Sequence, residues 1–150
     1  LNIQSSFSYI DAEFDSYTAE IANPNNPNTP CAKAIDKGNK IPGVAKNQAF
    51  TRIAWQPEQG FQAGLEARYM DKIYVDDINS DTAPSYTVVA ANVGYLWVNR
   101  DWKVNSYARV DNLFDRNYVG SVIVNDSNSR FFEPADGRNF SVGMSVTKAF

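Results

Sequence analysis

Apolar and polar residues alternate along the last stretch of the chain. Apolar or aromatic side chains take every even position from 140 to 150 except Lys148, and small or polar side chains take every odd position from 139 to 149. A period of two residues over this length predicts a β-strand with one apolar face and one polar face.

Five earlier stretches show the same alternation, at residues 1–9, 49–56, 61–70, 87–97 and 102–111. The stretch 87–97 is the least regular, because its second face is also largely apolar. Each stretch is about as long as a tilted strand that crosses a bilayer, which takes roughly 9–11 residues. No stretch with the period of a helix competes with them. The sequence therefore predicts an all-β fold with six antiparallel strands.

The connections between these strands are alternately short and long. Short turns lie at residues 57–60 and 99–101, and long polar connections lie at residues 15–45, 73–85 and 115–137. Transmembrane β-barrels of the outer membrane alternate in this way, with tight periplasmic turns and long outside loops. If the last strand runs inward to a periplasmic C-terminus, both short turns fall on the periplasmic side.

The three tryptophans test this orientation. Trp55 ends the second strand, Trp97 ends the fourth and Trp102 begins the fifth, so all three flank the short turns. Phe61 and Phe150 lie at the same level. Aromatic side chains at one membrane boundary form a girdle, because their amphipathic rings favour the headgroup region. Tryptophans that cap a soluble core are the alternative, but such a core gives no reason for all three to keep to one end of the strands.

Composition narrows the class of protein. The chain has 150 residues, of which 43% are hydrophobic, and a formal net charge of -3. No apolar run approaches the ~20 residues of a membrane-spanning helix, so residence in a membrane would require a β-barrel. The basic residues are dispersed, which gives no electrostatic footprint for nucleic acid.

Residues 1–150 are expected to be one piece of a longer protein. The chain begins inside a strand pattern at Leu1 and shows no signal peptide, which an outer-membrane protein needs. Single-chain bacterial barrels start at about eight strands, and an open six-stranded sheet would leave unpaired edges in lipid.

Residues for catalysis or metal binding are scarce. The sequence contains no histidine, and Cys31 is its only cysteine. The acidic groups Asp76–Asp77 and Asp11/Glu13 lack the spacing of a calcium loop. The glycines are scattered and form no phosphate-binding loop. The sequence therefore indicates no catalytic residue, no metal site and no cofactor.

Three motifs resemble those of TonB-dependent outer-membrane receptors. Residues 112–118 read NLFDRNY, which resembles the family's NLFD(K/R)xY stretch at the end of the penultimate strand. Residues 133–140 read EPADGRNF, similar to its PGRxF approach to the final strand, with two residues inserted after the proline. Residues 38–44 read GNKIPGV, which resembles its GxxxPxxP approach to an inward strand, without the second proline. The terminal Phe150 resembles the signal by which outer-membrane barrels are recognised for assembly.

The motif residues are expected to have structural roles. Asn112 and Asp115 lie where a strand gives way to a loop, and their side chains favour local hydrogen bonds to the backbone. Gly137 is expected to supply an unusual backbone angle before the last strand.

The resemblance implies a transmembrane β-barrel of 22 strands filled by an N-terminal plug domain. Residues 1–150 would be the last six antiparallel strands, and the plug and the earlier strands would be absent. It also implies a location in the Gram-negative outer membrane, in contact with its lipid and assembled by the barrel assembly machinery. The implied function is import of a scarce nutrient chelate, by default a ferric siderophore, with energy relayed by the TonB system through the missing plug.

Two sets of side chains are expected to serve this function. Charged residues opposite the apolar face are expected to face the plug in the lumen, namely Arg52, Glu66, Arg68, Arg109 and Asp111. Aromatic and basic residues of the outside loops are candidates for ligand binding, because they suit flat anionic chelates. These candidates are Tyr17, Tyr74, Tyr118, Arg130, Phe131 and Phe132.

Two other interpretations remain open from the sequence. One is a small secreted β-sandwich binding module, which would fold without detergent. The other is a small outer-membrane barrel that does not depend on TonB. The sequence upstream of residue 1 would discriminate among them, because a plug domain is expected only for the TonB-dependent receptor.

Overall fold

The computed structural model describes the backbone of residues 1–23 and 25–149, and the side chains of these residues other than 19, 21, 22 and 27–33. Phe150, which the sequence predicts to be an assembly signal and part of the aromatic girdle, lies outside the described residues. The side chain of Cys31 lies outside them as well. Within the described ranges, no helix is long and apolar enough to cross a membrane, a finding that concerns helices only.

The described residues form twelve β-strands and are all-β, as the sequence predicts. Their bounds are β1 Asn2–Tyr9, β2 Tyr17–Asn23, β3 Asn26–Ile35, β4 Asn47–Trp55, β5 Gly60–Met70, β6 Ile73–Tyr74, β7 Thr82–Ala83, β8 Tyr86–Asn99, β9 Trp102–Asp111, β10 Val119–Val122, β11 Phe132–Pro134 and β12 Asn139–Lys148.

Six of these strands form one sheet in the order β1-β4-β5-β8-β9-β12, and each pair of neighbours is antiparallel. They are the six strands predicted from the period of two. Tight turns join β4 to β5 and β8 to β9, and the left-handed backbone angles of Gly60 (φ 102°) and Arg100 (φ 48°) help to close them. The long connections all lie at the opposite end of the sheet.

The long connections contain structure that the sequence analysis did not predict. Each holds a small antiparallel hairpin of its own, β2 with β3, β6 with β7, and β10 with β11. The long connections are present where the sequence predicts them, and the hairpins within them are an addition to that prediction. Val75, between β6 and β7, is fully buried, with 0% of its surface exposed. The outside ends of the strands thus carry a folded layer.

The strand register places apolar side chains on one face of the sheet. Cross-strand pairing aligns Ile3, Ile53, Leu65, Ala91, Val110 and Phe140 in one row that crosses all six strands. Leu65 is 48% exposed and Phe140 is 76% exposed. An apolar row that stays open to the surroundings is unusual for a soluble surface. Ile53 and Leu65 thus lie on the apolar face that the period of two predicts.

Aromatic side chains collect on this same face near the tight turns. The rings of Phe61 and Tyr95 meet edge to face with centroids 5.0 Å apart. Trp55, Trp97 and Trp102 are all exposed there. The Lys148 ammonium lies 5.3 Å from the centre of the Trp102 ring. The predicted girdle is therefore present at the end of the strands that carries the tight turns.

Candidate functional site

Charged side chains join across the opposite, inner face of the sheet. Arg52 and Glu66 are direct cross-strand partners, with Nε and Oε1 3.4 Å apart. Arg109 donates from Nη2 to the other oxygen of Glu66 at 2.8 Å, and from Nε to Asp111 Oδ1 at 2.9 Å. The Glu66 carboxylate is therefore shared by two guanidinium groups.

A small residue on the strand between them makes this network possible. Glu66 lies opposite Ala90 of β8, and β9 follows on the other side of β8. Because Ala90 projects little from the sheet, Arg109 reaches across β8 to Glu66. These side chains are 20–40% exposed (Glu66 21%, Arg109 29%, Arg52 30%, Asp111 39%). Pairs with this exposure contribute on the order of 0–1 kcal/mol each.

A cleft of about 340 Å³ lies over this network towards the outside end of the strands. Charged residues on its wall include Glu66, Arg68, Arg109 and Asp111, and Tyr118 lies at its edge. The Tyr118 ring meets that of the buried Tyr86 with centroids 4.4 Å apart. The structure thus brings one loop candidate, Tyr118, together with four of the predicted lumen residues.

Arg68 differs from the other arginines of the inner face. Its cross-strand partners are Phe50 and Val88, both without charge. No carboxylate lies within ion-pair distance of Arg68 among the residues that the structure describes. Its guanidinium therefore brings to the described part of the cleft a positive charge that is not paired with a carboxylate.

The other loop candidates lie outside this cleft. Tyr17 stacks on Phe14, with ring centroids 5.3 Å apart and planes 10° from parallel. Tyr74 lies beneath the Lys72 ammonium at 5.1 Å. Phe131 and Phe132 meet edge to face at 6.3 Å, and Arg130 precedes them at the tip of the β10–β11 hairpin. Each contact is local to its own hairpin or to the adjoining chain.

The family-like motifs at residues 112–118 and 133–140 lock the ends of β9 and β12 together. Asn112 is 6% exposed and has a φ of 50°. Its amide accepts a hydrogen bond from the Arg116 N–H at 2.8 Å, and it donates to the carbonyl oxygens of Arg116 at 2.8 Å and Asp136 at 3.3 Å. The Arg138 N–H donates to Asp115 Oδ1 at 2.8 Å. The structural role expected for Asn112 and Asp115 is confirmed by these bonds.

Gly137 does not supply the unusual backbone angle that was expected before the last strand. The glycines with positive φ among the described residues are Gly38, Gly43 and Gly60, and Gly137 is not one of them. A Cβ at position 137 would lie 3.2 Å from Asp115 Oδ1. Glycine is therefore favoured there by the close approach of the Asp115 carboxylate.

Outside the strands, the lysines of the first long connection neutralise the acidic residues that follow β1. Asp11 accepts hydrogen bonds from Lys40 at 2.7 Å and from Lys46 at 3.1 Å, and Glu13 also accepts one from Lys40. The bonds from Lys40 and Lys46 lower the pKa of Asp11 to about 2. No group of three or more metal-ligating side chains occurs among the described residues.

Sequence reasoning missed Phe50 and Ala90, which line the cleft, and Tyr86, whose ring contacts that of Tyr118. Phe50 could have been found, because it shares the face of Arg52 by the period of two. The same period places Tyr86 and Ala90 on the inner face, but neither residue type indicates a site by itself. Their importance depends on which residues the register places beside them.

Comparison with known proteins defines the class of this chain. Residues 1–113 match the family model described as TonB dependent receptor-like, beta-barrel. Because the match covers most of the chain, the chain belongs to the TonB-dependent receptor-like β-barrel family. It is a Gram-negative outer-membrane protein of this family, which settles the choice against the β-sandwich and the barrel independent of TonB. The named relatives are receptors and transporters.

Individual relatives are similar over most of this chain. The probable TonB-dependent siderophore receptor PiuA of Acinetobacter baumannii is 26% identical over 142 residues, which are 92% of this chain and 17% of the relative. The ferrichrome outer membrane transporter/phage receptor of Escherichia coli K12 is 32% identical over 126 residues, 81% of this chain and 15% of the relative. The crystal structure of PiuA superposes with a TM-score of 0.78 at 25% identity, over 99% of this chain and 19% of that one. The chain thus spans less than a fifth of the length of these relatives.

Proposed function

We propose that residues 1–150 form the final six strands of an outer-membrane receptor that imports a ferric siderophore by TonB-coupled transport. The observation that carries the proposal is that the two faces of one sheet differ in chemistry. The outer face is an exposed apolar row, and the inner face carries a charged network beneath a cleft. Relatives named as siderophore and ferrichrome receptors support the choice of ligand. No catalytic role is proposed for any residue.

The rest of the barrel and the plug would come from the chain outside these residues. Within the described part, β1 pairs with β4 alone and β12 with β9 alone, so each keeps one edge for a further strand. Such edges are not tolerated in lipid unless they pair. The plug would fill the lumen and contact the TonB system. Phe150 would be recognised by the barrel assembly machinery, and the apolar row would meet outer-membrane lipid.

The inner-face charges divide into two proposed roles. Arg52, Glu66, Arg109 and Asp111 stiffen the wall through their mutual ion pairs while facing the plug. Arg68 keeps its charge available to the plug or to an anionic ligand in the cleft. Tyr118 and the loop residues Tyr17, Tyr74, Arg130, Phe131 and Phe132 would contact the ligand at the outside mouth.

Iron uptake by the full-length receptor tests this function. Cells that are limited for iron would be given radioactive iron bound to a hydroxamate or to a catecholate siderophore, with and without a working TonB system. Uptake of at least one chelate should require both the receptor and TonB. If the receptor is inserted in the membrane but supports uptake of neither chelate class, the siderophore proposal is wrong.

A matched pair of tyrosine variants would locate the ligand. Tyr118→Ala removes a ring from the edge of the cleft, whereas Tyr95→Ala removes a ring from the girdle on the apolar face. Only the Tyr118 variant should weaken chelate binding.

A further inference from the structure

Three outside loops meet in a single cluster. We define loop A as residues 36–46 between β3 and β4, loop B as residues 75–81 between β6 and β7, and loop C as residues 123–131 between β10 and β11. Val75 of loop B is fully buried, and its carbonyl oxygen accepts a hydrogen bond from loop C. The contacts between the loops are made mainly by two asparagines.

Asn79 joins loop B to loop A. Its Oδ1 accepts a hydrogen bond from the Lys40 N–H at 2.7 Å, and its Nδ2 donates to the Lys40 carbonyl oxygen at 2.8 Å. One side chain therefore satisfies both backbone groups of a residue on another loop. Asn79 itself has a φ of 55°, a conformation that asparagine tolerates better than most residues. Asn39 adds a third bond, from its Nδ2 to the Asp77 carbonyl oxygen at 3.0 Å.

Asn125 joins loop C to loop B in a similar way. Its Oδ1 accepts a hydrogen bond from the Asp77 N–H at 3.1 Å, and its own N–H donates to the Val75 carbonyl oxygen at 2.9 Å. Its φ is 56°. The two asparagines thus have the same left-handed backbone and the same function of joining neighbouring loops.

Loops A and C also touch each other directly. A Cβ at Gly43 would lie 3.1 Å from Cγ2 of Val124, so the glycine lets the two loops approach closely. With this contact, each loop meets both of the others. Because each loop contacts both of the others, loss of one contact weakens the support of all three loops.

We propose that loops A, B and C form one cooperative unit that loosens as a whole, with Asn79 and Asn125 as the two residues that link its loops. Loop C continues through β10 to Tyr118, whose ring rests on Tyr86 at the edge of the cleft. Movement of the unit would therefore carry Tyr118 with it. This proposal goes beyond the proposed function and does not depend on which ligand is transported.

Hydrogen exchange of the full-length receptor in lipid nanodiscs tests the proposal. The Asn125 N–H in loop C is the reporter, because Asn79 does not contact it. Asn79→Ala should speed exchange about tenfold or more in loops A and B, because it removes the two hydrogen bonds to Lys40 and a third to the Asp76 carbonyl oxygen. Exchange at Asn125 should rise in parallel if the loops move together. Asn125→Ala should likewise speed exchange at the Lys40 N–H in loop A.

Two further variants keep the result interpretable. Asn79→Gly removes the amide but permits the positive φ, so it should loosen all three loops in the same way as Asn79→Ala. Asn128→Ala removes an exposed asparagine of loop C and should leave exchange unchanged. If either Asn79 variant loosens loop A while exchange at Asn125 stays at the parent rate, the loops move independently and the proposal fails. A parent-like Asn79→Gly variant would also overturn the role of the amide.

Discussion

Tyr107 lies across Gly143, its cross-strand partner on β12. A Cβ at position 143 would lie 2.6 Å from Cε1 and 2.7 Å from Oη of Tyr107. Real carbon atoms do not approach so closely, so a side chain at 143 would push the ring away. Glycine at this position thus gives the aromatic ring a flat surface on the inner face of the sheet.

Gly143→Ala should therefore destabilise the receptor by about 0.5–1.5 kcal/mol, the cost of moving the half-exposed Tyr107 ring away from its preferred rotamer. The same change in a Tyr107→Ala background should be neutral or stabilising by about 0.4–1 kcal/mol, because position 143 has no positive φ and alanine restricts the unfolded chain. Urea unfolding of the four proteins in lipid vesicles gives both values. An equal loss of stability in both backgrounds would show that Tyr107 is not the cause.

The Asp11 carboxylate makes the stability of the folded loop layer depend on pH. Hydrogen bonds from Lys40 and then Lys46 hold its pKa at about 2, below the ordinary value of 3.8. A carboxylate whose pKa is lowered by folding stabilises the folded state above its unfolded pKa. That contribution is lost as the pH falls from about 4 towards 2.

Comparing the parent with Asp11→Asn isolates this effect from other carboxylates. The parent should be the more stable protein at pH 5, and the difference in urea midpoint should shrink between pH 4 and pH 2. High salt should also reduce the difference, because the side chains involved are partly exposed. A difference that stays constant down to pH 2 would mean that Asp11 has an ordinary pKa.

Strand β5 is apolar on one face and polar on the other. Leu65 belongs to the apolar row, and Gln62 belongs to the inner face, where it lies opposite Gly94. Leu65→Arg would place a charge in lipid and should cost about 2–4 kcal/mol of barrel stability near the midplane. Gln62→Arg is the matched control on the same strand, and it should cost much less.

Spin labels give a second measurement of which face of β4 and β5 meets lipid. Labels at positions 53 and 65 should report surroundings that are accessible to oxygen and poor in water. Water-exposed spectra at both positions would show that the two faces have been assigned the wrong way round.

The six long strands could be predicted because most of each strand follows one simple rule, which β8 follows least regularly. Alternation of apolar and polar residues fixes both the strand and its lipid-facing side. The small hairpins obey no such rule. β6 and β7 have two residues each, and β3 contains Pro27 and Pro30, which normally argue against a strand. Their stability depends on contacts between loops, which a local pattern does not encode.

The sequence likewise predicts only part of the candidate site. The period of two placed Arg52, Glu66 and Arg109 on the inner face. Their ion pairs depend on the register of three strands and on the small size of Ala90, so the sequence alone did not reveal them. The position of Tyr118 over the cleft depends on the path of a long connection, which is harder still to predict.

The height of the apolar face along the membrane normal is close to that of the apolar band in outer-membrane barrels. Between Phe61 in the girdle and Tyr69 near the loops, β5 advances about 27 Å at about 3.4 Å per residue. A tilt of about 40° reduces this to roughly 20 Å along the membrane normal, close to the apolar band of about 25 Å in such barrels. The folded loop layer therefore lies beyond one boundary of this apolar band.

Replacing Arg130, Phe131 and Phe132 together with alanine tests whether the tip of the β10–β11 hairpin contacts the ligand. The hairpin should survive the change, because its turn is held by the Arg130 N–H, which donates to Asp126 Oδ2 at 2.8 Å, and not by the guanidinium. Loss of a well-paired arginine contact, about 1.5–3 kcal/mol, should weaken binding of the transported chelate roughly ten- to a hundredfold. Equilibrium binding to the full-length receptor provides the measurement.

Two controls separate contact from mobility. Lys103→Ala, near the tight turns at the far end of β9, should leave binding unchanged. Asn79→Ala should loosen the loops without removing any contact side chain, so it should alter the rate of association more than the triple variant does. If the triple variant binds as tightly as the parent, its aromatic pair only packs the hairpin. The ligand would then be held by Tyr118 and the cleft, or by parts of the receptor outside residues 1–150.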